Sequence, residues 1–156
     1  MYVKTKILLC ASLLMLIFAL STQFGTYKDI PLDDIKSNVL SVTDTSKLTD
    51  GNNKLLKRFY GLNSDDYQEC VLCVPASNMD VNELLIIKVK DKSQINAIED
   101  SINNRIDSQE NSFKDYAPVQ YGIIKQNEIS IKGNYVFFAI SEDAQNMKQQ
   151  FLKSIK

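Results

Sequence analysis

Glu83-Leu84-Leu85-Ile86-Ile87-Lys88-Val89-Lys90 is the stretch that places the rest of the chain. A β-strand turns successive side chains to opposite faces, so four aliphatic residues in a row make both faces apolar. Such a strand is central in its sheet and covered on both sides. Tyr135 to Ile140 repeats the pattern and predicts a second central strand.

Upstream, Tyr67 to Val74 reads as a strand ending at Pro75, and the loop Pro75-Ala76-Ser77-Asn78-Met79-Asp80 is short enough for an antiparallel hairpin. Downstream, Ile95, Ile98, Ile102, Ile106 and Phe113 recur at helical spacing and predict a long helix over about 93–113. Tyr116 to Tyr121 reads as an aromatic connector around Pro118. Glu128 to Lys132 pairs with Tyr135 to Ser141 in a second hairpin turned at Gly133-Asn134. Ser141 is positioned to cap a last helix whose inward face is Ala144, Met147, Phe151 and Ile155.

Before the first hairpin, Pro31 suits a first helical position, and Leu32, Ile35 and Val39 follow at helical spacing. Residues 43–53 are polar, with Asp50-Gly51 as a turn signal. A second short helix begins near Asn53, carries Leu55, Leu56, Phe59 and Tyr60, and stops at Gly61. The order α-α-β-β-α-β-β-α predicts an α+β fold with a four-stranded, mostly antiparallel sheet. The two long helices are expected on one face, the N-terminal helices over part of the other.

The N-terminus follows a different rule. Lys4 and Lys6 precede an apolar run from Ile7 to Leu20. A short basic head followed by such a run is the secretory signal pattern. As a helix the run is about 21 Å long against about 30 Å of hydrocarbon. Extension to Phe24 would allow an uncleaved anchor that contacts the membrane through residues 7–24. Ala19 and Ser21 stand at the small-residue spacing of a cleavage site, with Thr22 as the new N-terminus. Cys10 sits early in the run after Leu9, which is the wrong place for a lipoprotein cysteine. The expected organisation is therefore residues 1–21 as signal peptide or signal anchor, 22–29 as tether, and 30–156 as one α+β domain. The domain is expected outside the cytoplasm, anchored or released after cleavage.

Composition removes several kinds of chemistry. The 156 residues hold 18 Lys+Arg, 19 Asp+Glu and no histidine. The charges are mixed in sign, and no basic face marks a nucleic-acid surface. Without histidine there are no imidazole metal ligands, no Ser-His or Cys-His pair and no imidazole base. The five glycines are scattered singly, so no phosphate-cradling loop exists. No motif calls for a cofactor or a metal.

Cys70-Val71-Leu72-Cys73 is a C-x-x-C inside a strand pattern. Residues three apart in a strand face opposite ways with Cα atoms roughly 10 Å apart, whereas a disulfide needs about 4.4–6.8 Å. Redox motifs of this spacing open a helix instead. The cysteines therefore read as buried structural residues. The adjacent carboxylates Asp33-Asp34 and Asp65-Asp66 read as solvated residues near helix starts.

One constellation invites a functional reading. At 100° per residue Gln109 falls roughly 30° from the centre of the long helix's apolar stripe, with Arg105 one turn earlier on the same flank. Tyr116 and Tyr121 follow in the connector, and Ser77 and Asn78 can approach from the first hairpin loop. Polar groups beside an apolar core make either a ligand pocket or a self-satisfied network. The arginine fork is, on this reading, available to a carboxylate or phosphate.

The stretch Phe59 to Phe151 resembles small exported proteins of Gram-positive bacteria that carry the domain of unknown function numbered 4358. The residues carrying the likeness are Pro75 to Asp80 with Glu83, Lys88-Val89-Lys90-Asp91, Arg105, Ser108-Gln109, Phe113, Tyr116, Pro118, Tyr121 and Lys132-Gly133-Asn134-Tyr135-Val136. The resemblance implies export and one domain; many members look like lipoproteins, from which Cys10 sets this chain apart. It supplies no activity and no catalytic residues. The leading expectation is a non-enzymatic cell-envelope module that binds a partner protein, a wall component or a small ligand. The alternative is an envelope hydrolase using carboxylate or tyrosine chemistry.

Overall fold

The structure, a computed structural model, describes residues 28–156. The apolar run, the cleavage spacing and Cys10 lie outside the described residues, as does the tether up to residue 27. Among the described residues no helix is long and apolar enough to cross a membrane.

The elements in chain order are α1 (Leu32–Leu40), β1 (Leu48–Asp50), α2 (Asn53–Tyr60), β2 (Glu69–Pro75), β3 (Glu83–Lys88), α3 (Ile95–Phe113), α4 (Pro118–Ile124), β4 (Glu128–Lys132), β5 (Tyr135–Ile140) and α5 (Ala144–Ser154). The described residues thus form an α+β structure. Its sheet has five strands in the order β1-β2-β3-β5-β4, every neighbouring pair antiparallel.

The central pair is the one the apolar runs predicted: every residue of β3 and β5 is buried. Leu84 lies opposite Ala139 and Ile86 opposite Phe137, so even-numbered residues of β3 share a face with odd-numbered residues of β5. That face packs against α1 and α5, with Leu32, Ile35, Val39, Met147 and Phe151 in its core. The other face carries Leu85, Ile87, Val136 and Phe138 against α2, α3 and α4.

Three expectations are corrected. The sheet has a fifth strand, because the polar stretch before Gly51 pairs its backbone with β2 through Leu48–Pro75 and Asp50–Cys73. A three-residue edge strand needs no apolar alternation, so the side-chain pattern gave no signal. The long helices α3 and α5 lie on opposite faces, and the N-terminal helices are divided between them. Central strands that are apolar on both sides leave the choice of face to the connections. Residues 118–124 form a helix, not a connector: Pro118 occupies its first turn, and Ile123 and Ile124 are buried beneath it.

Local chemistry sets the ends of the helices. Asn52 caps α2 by accepting from Leu55 N at 3.1 Å, and Gly61 ends it at φ 68°. Asp91 and Gln94 form a capping box ahead of α3. Ser141 Oγ accepts from Asp143 N at 3.0 Å, so it holds the turn before α5, whose N-cap is Asp143.

The two ends of the sheet differ. At the Lys88 end, the buried Lys88 ammonium bonds Asp29 and reaches Glu69 Oε1 at 3.3 Å, while Glu69 Oε2 accepts from Leu32 N at 3.0 Å. Lys28 N donates to Ile155 O there at 3.2 Å, which puts both ends of the described chain together. Burial opposes the charge on Lys88 and is the largest single influence, but Asp29, Tyr135 and Glu69 together outweigh it and raise its pKa above the usual lysine value. The Glu83 end, five residue steps or about 17 Å along β3, carries the 75–80 loop and the hollow described next.

Candidate functional site

Glu83 is the first residue of β3 and is wholly buried. Its odd-numbered position aims it at the α2–α3 face, beside Leu85 and Ile87. An isolated buried carboxylate costs several kcal/mol of desolvation, and three side chains answer it. Arg105 Nη2 donates to Oε2 at 2.8 Å, and Nε lies 3.2 Å from both carboxylate oxygens. The Tyr60 hydroxyl donates to Oε1 in a short bond, and Gln109 Nε2 lies 3.5 Å from Oε2. Phe59 completes the cluster with its ring face 4.2 Å from the guanidinium carbon of Arg105. Burial, and then the negative charge of Glu83, push the Tyr60 phenol well above its usual pKa, so it remains a donor.

In front of this cluster opens a hollow of about 350 Å³. Its walls are Leu55 and Phe59 from α2, Val74 and Pro75 from β2, and Phe113 from α3; Arg105 and Gln109 form the polar side. The loop supplies Ala76, Ser77, Asn78 and Asp80. Ser77 Oγ donates to Asp80 Oδ2 at 2.7 Å and accepts from Met79 N at 3.3 Å, which shapes the loop. A second, smaller hollow of about 220 Å³ lies across Asp80, lined by Met79, Val119, Ile123 and Glu142 among others.

The sequence-derived site residues separate into two groups. Arg105, Gln109, Ser77 and Asn78 do meet around one hollow. Tyr116 and Tyr121 do not line it. Tyr116 is exposed and stacks on Phe113 at 5.8 Å between ring centroids, and Tyr121 packs against the core under α4. Tyr121 is carried by the helix formed after Pro118, and Tyr116 stands in the turn before it.

The arginine fork is also not free. Its Nε and Nη2 are engaged by Glu83, so the expectation that it would take a carboxylate or phosphate through that fork is withdrawn. Only Nη1 has no hydrogen-bond partner among the described residues. No buried side-chain nitrogen or oxygen there lacks a partner, so Nη1 is reached by solvent. Sequence reasoning missed Glu83, Tyr60 and Asp80. The parity of β3 carried the signal for Glu83, because a strand that starts at Glu83 directs it to the same buried face as Ile87.

Cys70 and Cys73 are free thiols on opposite faces of β2, as the strand reading required. Burial raises both to about 11, where a thiolate nucleophile is scarce at neutral pH. The described residues contain no group of His, Cys, Asp and Glu that could hold a metal ion.

The profile of the family described as Domain of unknown function (DUF4358) matches residues 41–141. The chain belongs to that family. No curated protein and no solved structure matches it. The matched segment runs from the end of α1 to the end of β5, so every residue lining the larger hollow falls inside the DUF4358 domain. Helices α1 and α5, which cover the other face, lie outside the match.

Proposed function

We propose that this DUF4358 protein is a non-enzymatic binding module of the cell envelope, and that the hollow between α2, α3 and the 75–80 loop is its binding surface. The observation carrying the reading is convergence. Two segments 25 to 32 residues apart in sequence bring an accessible arginine edge, a glutamine, a serine, an asparagine and an aspartate to the rim of one apolar hollow. Ligand sites are built this way, with a few polar groups on apolar walls. The position fits as well, since the hollow sits at the end of the sheet away from Asp29, where the N-terminal segment joins. A module held by that segment would present the hollow outward.

The hydrolase alternative is weakened by the same geometry. The Glu83 carboxylate is occupied by Tyr60, Arg105 and Gln109, and Asp80 is the one carboxylate lining the hollow. The larger hollow therefore offers no second carboxylate to face Asp80 across a substrate.

Photo-crosslinking in cells tests the proposal. A benzophenone side chain at Asn78 should give a discrete adduct, and the same group at the exposed Gln149 on α5 should not. Ala76→Trp, which fills the hollow from its exposed rim, should abolish the adduct. Equal adducts from both positions, or an Asn78 adduct indifferent to Ala76→Trp, would refute it. Reporter fusions after Lys156 check the topology: activity confined to the cytoplasm would contradict an envelope module.

A further inference from the structure

We infer that the hollow selects a short peptide bearing a free amine and a neutral amide carbonyl, and rejects anions; this rests on the hollow being the binding surface. Charge carries the first step. Arg105 is the one cation lining the hollow, and Glu83 directly behind it matches that charge at 2.8 Å. Asp80 at the rim forms no salt bridge among the described residues, and Lys47, the cation that shares the second hollow with it, is matched by Glu142 at 3.8 Å. The formal sum of Arg105, Glu83 and Asp80 is negative. A phosphate or carboxylate would therefore meet an already neutralised guanidinium and a repelling carboxylate.

The hydrogen-bond inventory points the same way. Arg105 Nη1 offers two N–H donors and no acceptor, and the Asn78 amide can add another. These suit a neutral carbonyl oxygen. Asp80 Oδ2 accepts from Ser77, whereas Oδ1 has no partner among the described residues and can take an ammonium. Asp80 also stands on the ridge between the two hollows, lining both. An amine at Asp80 therefore has an apolar wall on either side: Phe59 and Phe113 in one hollow, Met79 and Val119 in the other. Met79 and Val119 are 57% and 66% exposed, an apolar surface that lacks cover. A peptide N-terminus with two successive aliphatic side chains matches this layout, its first carbonyl facing Arg105.

Calorimetric titration of the full chain in detergent micelles tests the inference with three probes. These are leucyl-leucinamide, N-acetyl-leucyl-leucine and inorganic phosphate. Leucyl-leucinamide should bind saturably, and Asp80→Asn should weaken it at least tenfold while the thermal midpoint stays at the parent value. The two anions should give no binding isotherm. Phosphate or the acetylated acid binding as tightly as the amide would overturn the inference. So would unchanged amide affinity in Asp80→Asn, or no amide binding to the parent. If the acetylated acid binds and Ala76→Trp abolishes it, the charge rule falls and the hollow survives as the binding surface. If the amide binds equally well to Ala76→Trp, both fall.

Discussion

Replacing Arg105 by Met should be among the most damaging single changes in the domain, and more damaging than replacing Glu83 by Leu. Arg105→Met leaves a wholly buried carboxylate with only the Tyr60 hydroxyl and a 3.5 Å contact from Gln109. Stranding one member of a buried pair costs about 3–5 kcal/mol. Glu83→Leu instead strands Arg105, whose side chain is 11% exposed at the edge of the hollow and can turn its charge into water. The cost there is the lost hydrogen bonds, about 1–3 kcal/mol. The double variant Glu83→Leu/Arg105→Met removes both charges and should recover most of the loss, as apolar replacements of buried pairs often do. For a domain of this size 1 kcal/mol moves the thermal midpoint by about 4 °C, so Arg105→Met should melt about 12–20 °C below the parent. Urea unfolding followed by circular dichroism, run on all four members of the cycle, gives the coupling energy directly. A loss below about 1 kcal/mol for Arg105→Met, or a larger loss for Glu83→Leu, would refute the reasoning. Either result would mean that Glu83 is not held as a buried charge by this arginine.

Two further outcomes are expected. Stability should fall as pH rises from about 9 toward 11, because both buried thiols keep their protons to about 11 while unfolded thiols ionise near 9. The sign is that of a folded state binding more protons than the unfolded one, worth at most about 1.4 kcal/mol per pH unit per thiol, with the partly exposed Cys70 contributing less. The difference between urea midpoints at pH 8 and 10 should shrink in Cys70→Val/Cys73→Val, leaving the smaller part due to the Tyr60 phenol, whose pKa is also raised. An undiminished pH sensitivity in that variant would argue against the thiols as its main source. Gly51→Ala should cost about 1–3 kcal/mol by overpacking, since its Cβ would lie 2.6 Å from Leu72 Cγ while Gly51 N is bonded to Leu72 O at 2.8 Å. A midpoint unchanged by Gly51→Ala would show that β1 can shift away from β2.

What the sequence made legible follows from the range of each signal. The central strands were readable because Leu84 to Ile87 is apolar without interruption, and the caps at Asn52 and Gly61 because capping is local. The β4–β5 turn was readable for the same reason: Gly133 takes φ 61° between two strands two residues apart. Gln109 and Arg105 were legible as polar residues on an apolar flank, and helical spacing alone placed them together. The rest depended on contacts between distant segments. Edge strand β1 exists through backbone pairing with β2, and α4 forms over Pro118 and Gly122 because Ile123 and Ile124 gain burial. Neither leaves a periodic trace. The state of the Arg105 fork could not be read either, since it depends on the burial of Glu83, 22 residues away.

The two buried charges also bear on how this strand finds its place. A strand that is apolar on both faces can slip by one residue and still bury aliphatic side chains, so hydrophobic pattern alone specifies the register of β3 weakly. Glu83 and Lys88 break that degeneracy. They sit at opposite ends of the strand, face opposite sides of the sheet and carry opposite charge. Glu83 finds Arg105 and Tyr60 on the α2–α3 side; Lys88 finds Asp29 and Glu69 on the side of α1. A one-residue slip would turn Glu83 toward the layer built from Leu32, Ile35 and Phe151, and turn Lys88 toward Ile98 and Val136. Each would then be a buried charge without its partner, at a cost of several kcal/mol apiece. Correct pairing is favoured because every one-step error is penalised at both ends at once. The cluster behind the hollow therefore has two separable consequences: it fixes the register of β3, and it holds the guanidinium with only Nη1 turned to solvent. Glu83→Leu/Arg105→Met can keep its stability and still lose the guanidinium and one of the two register penalties, with Lys88 retaining the other.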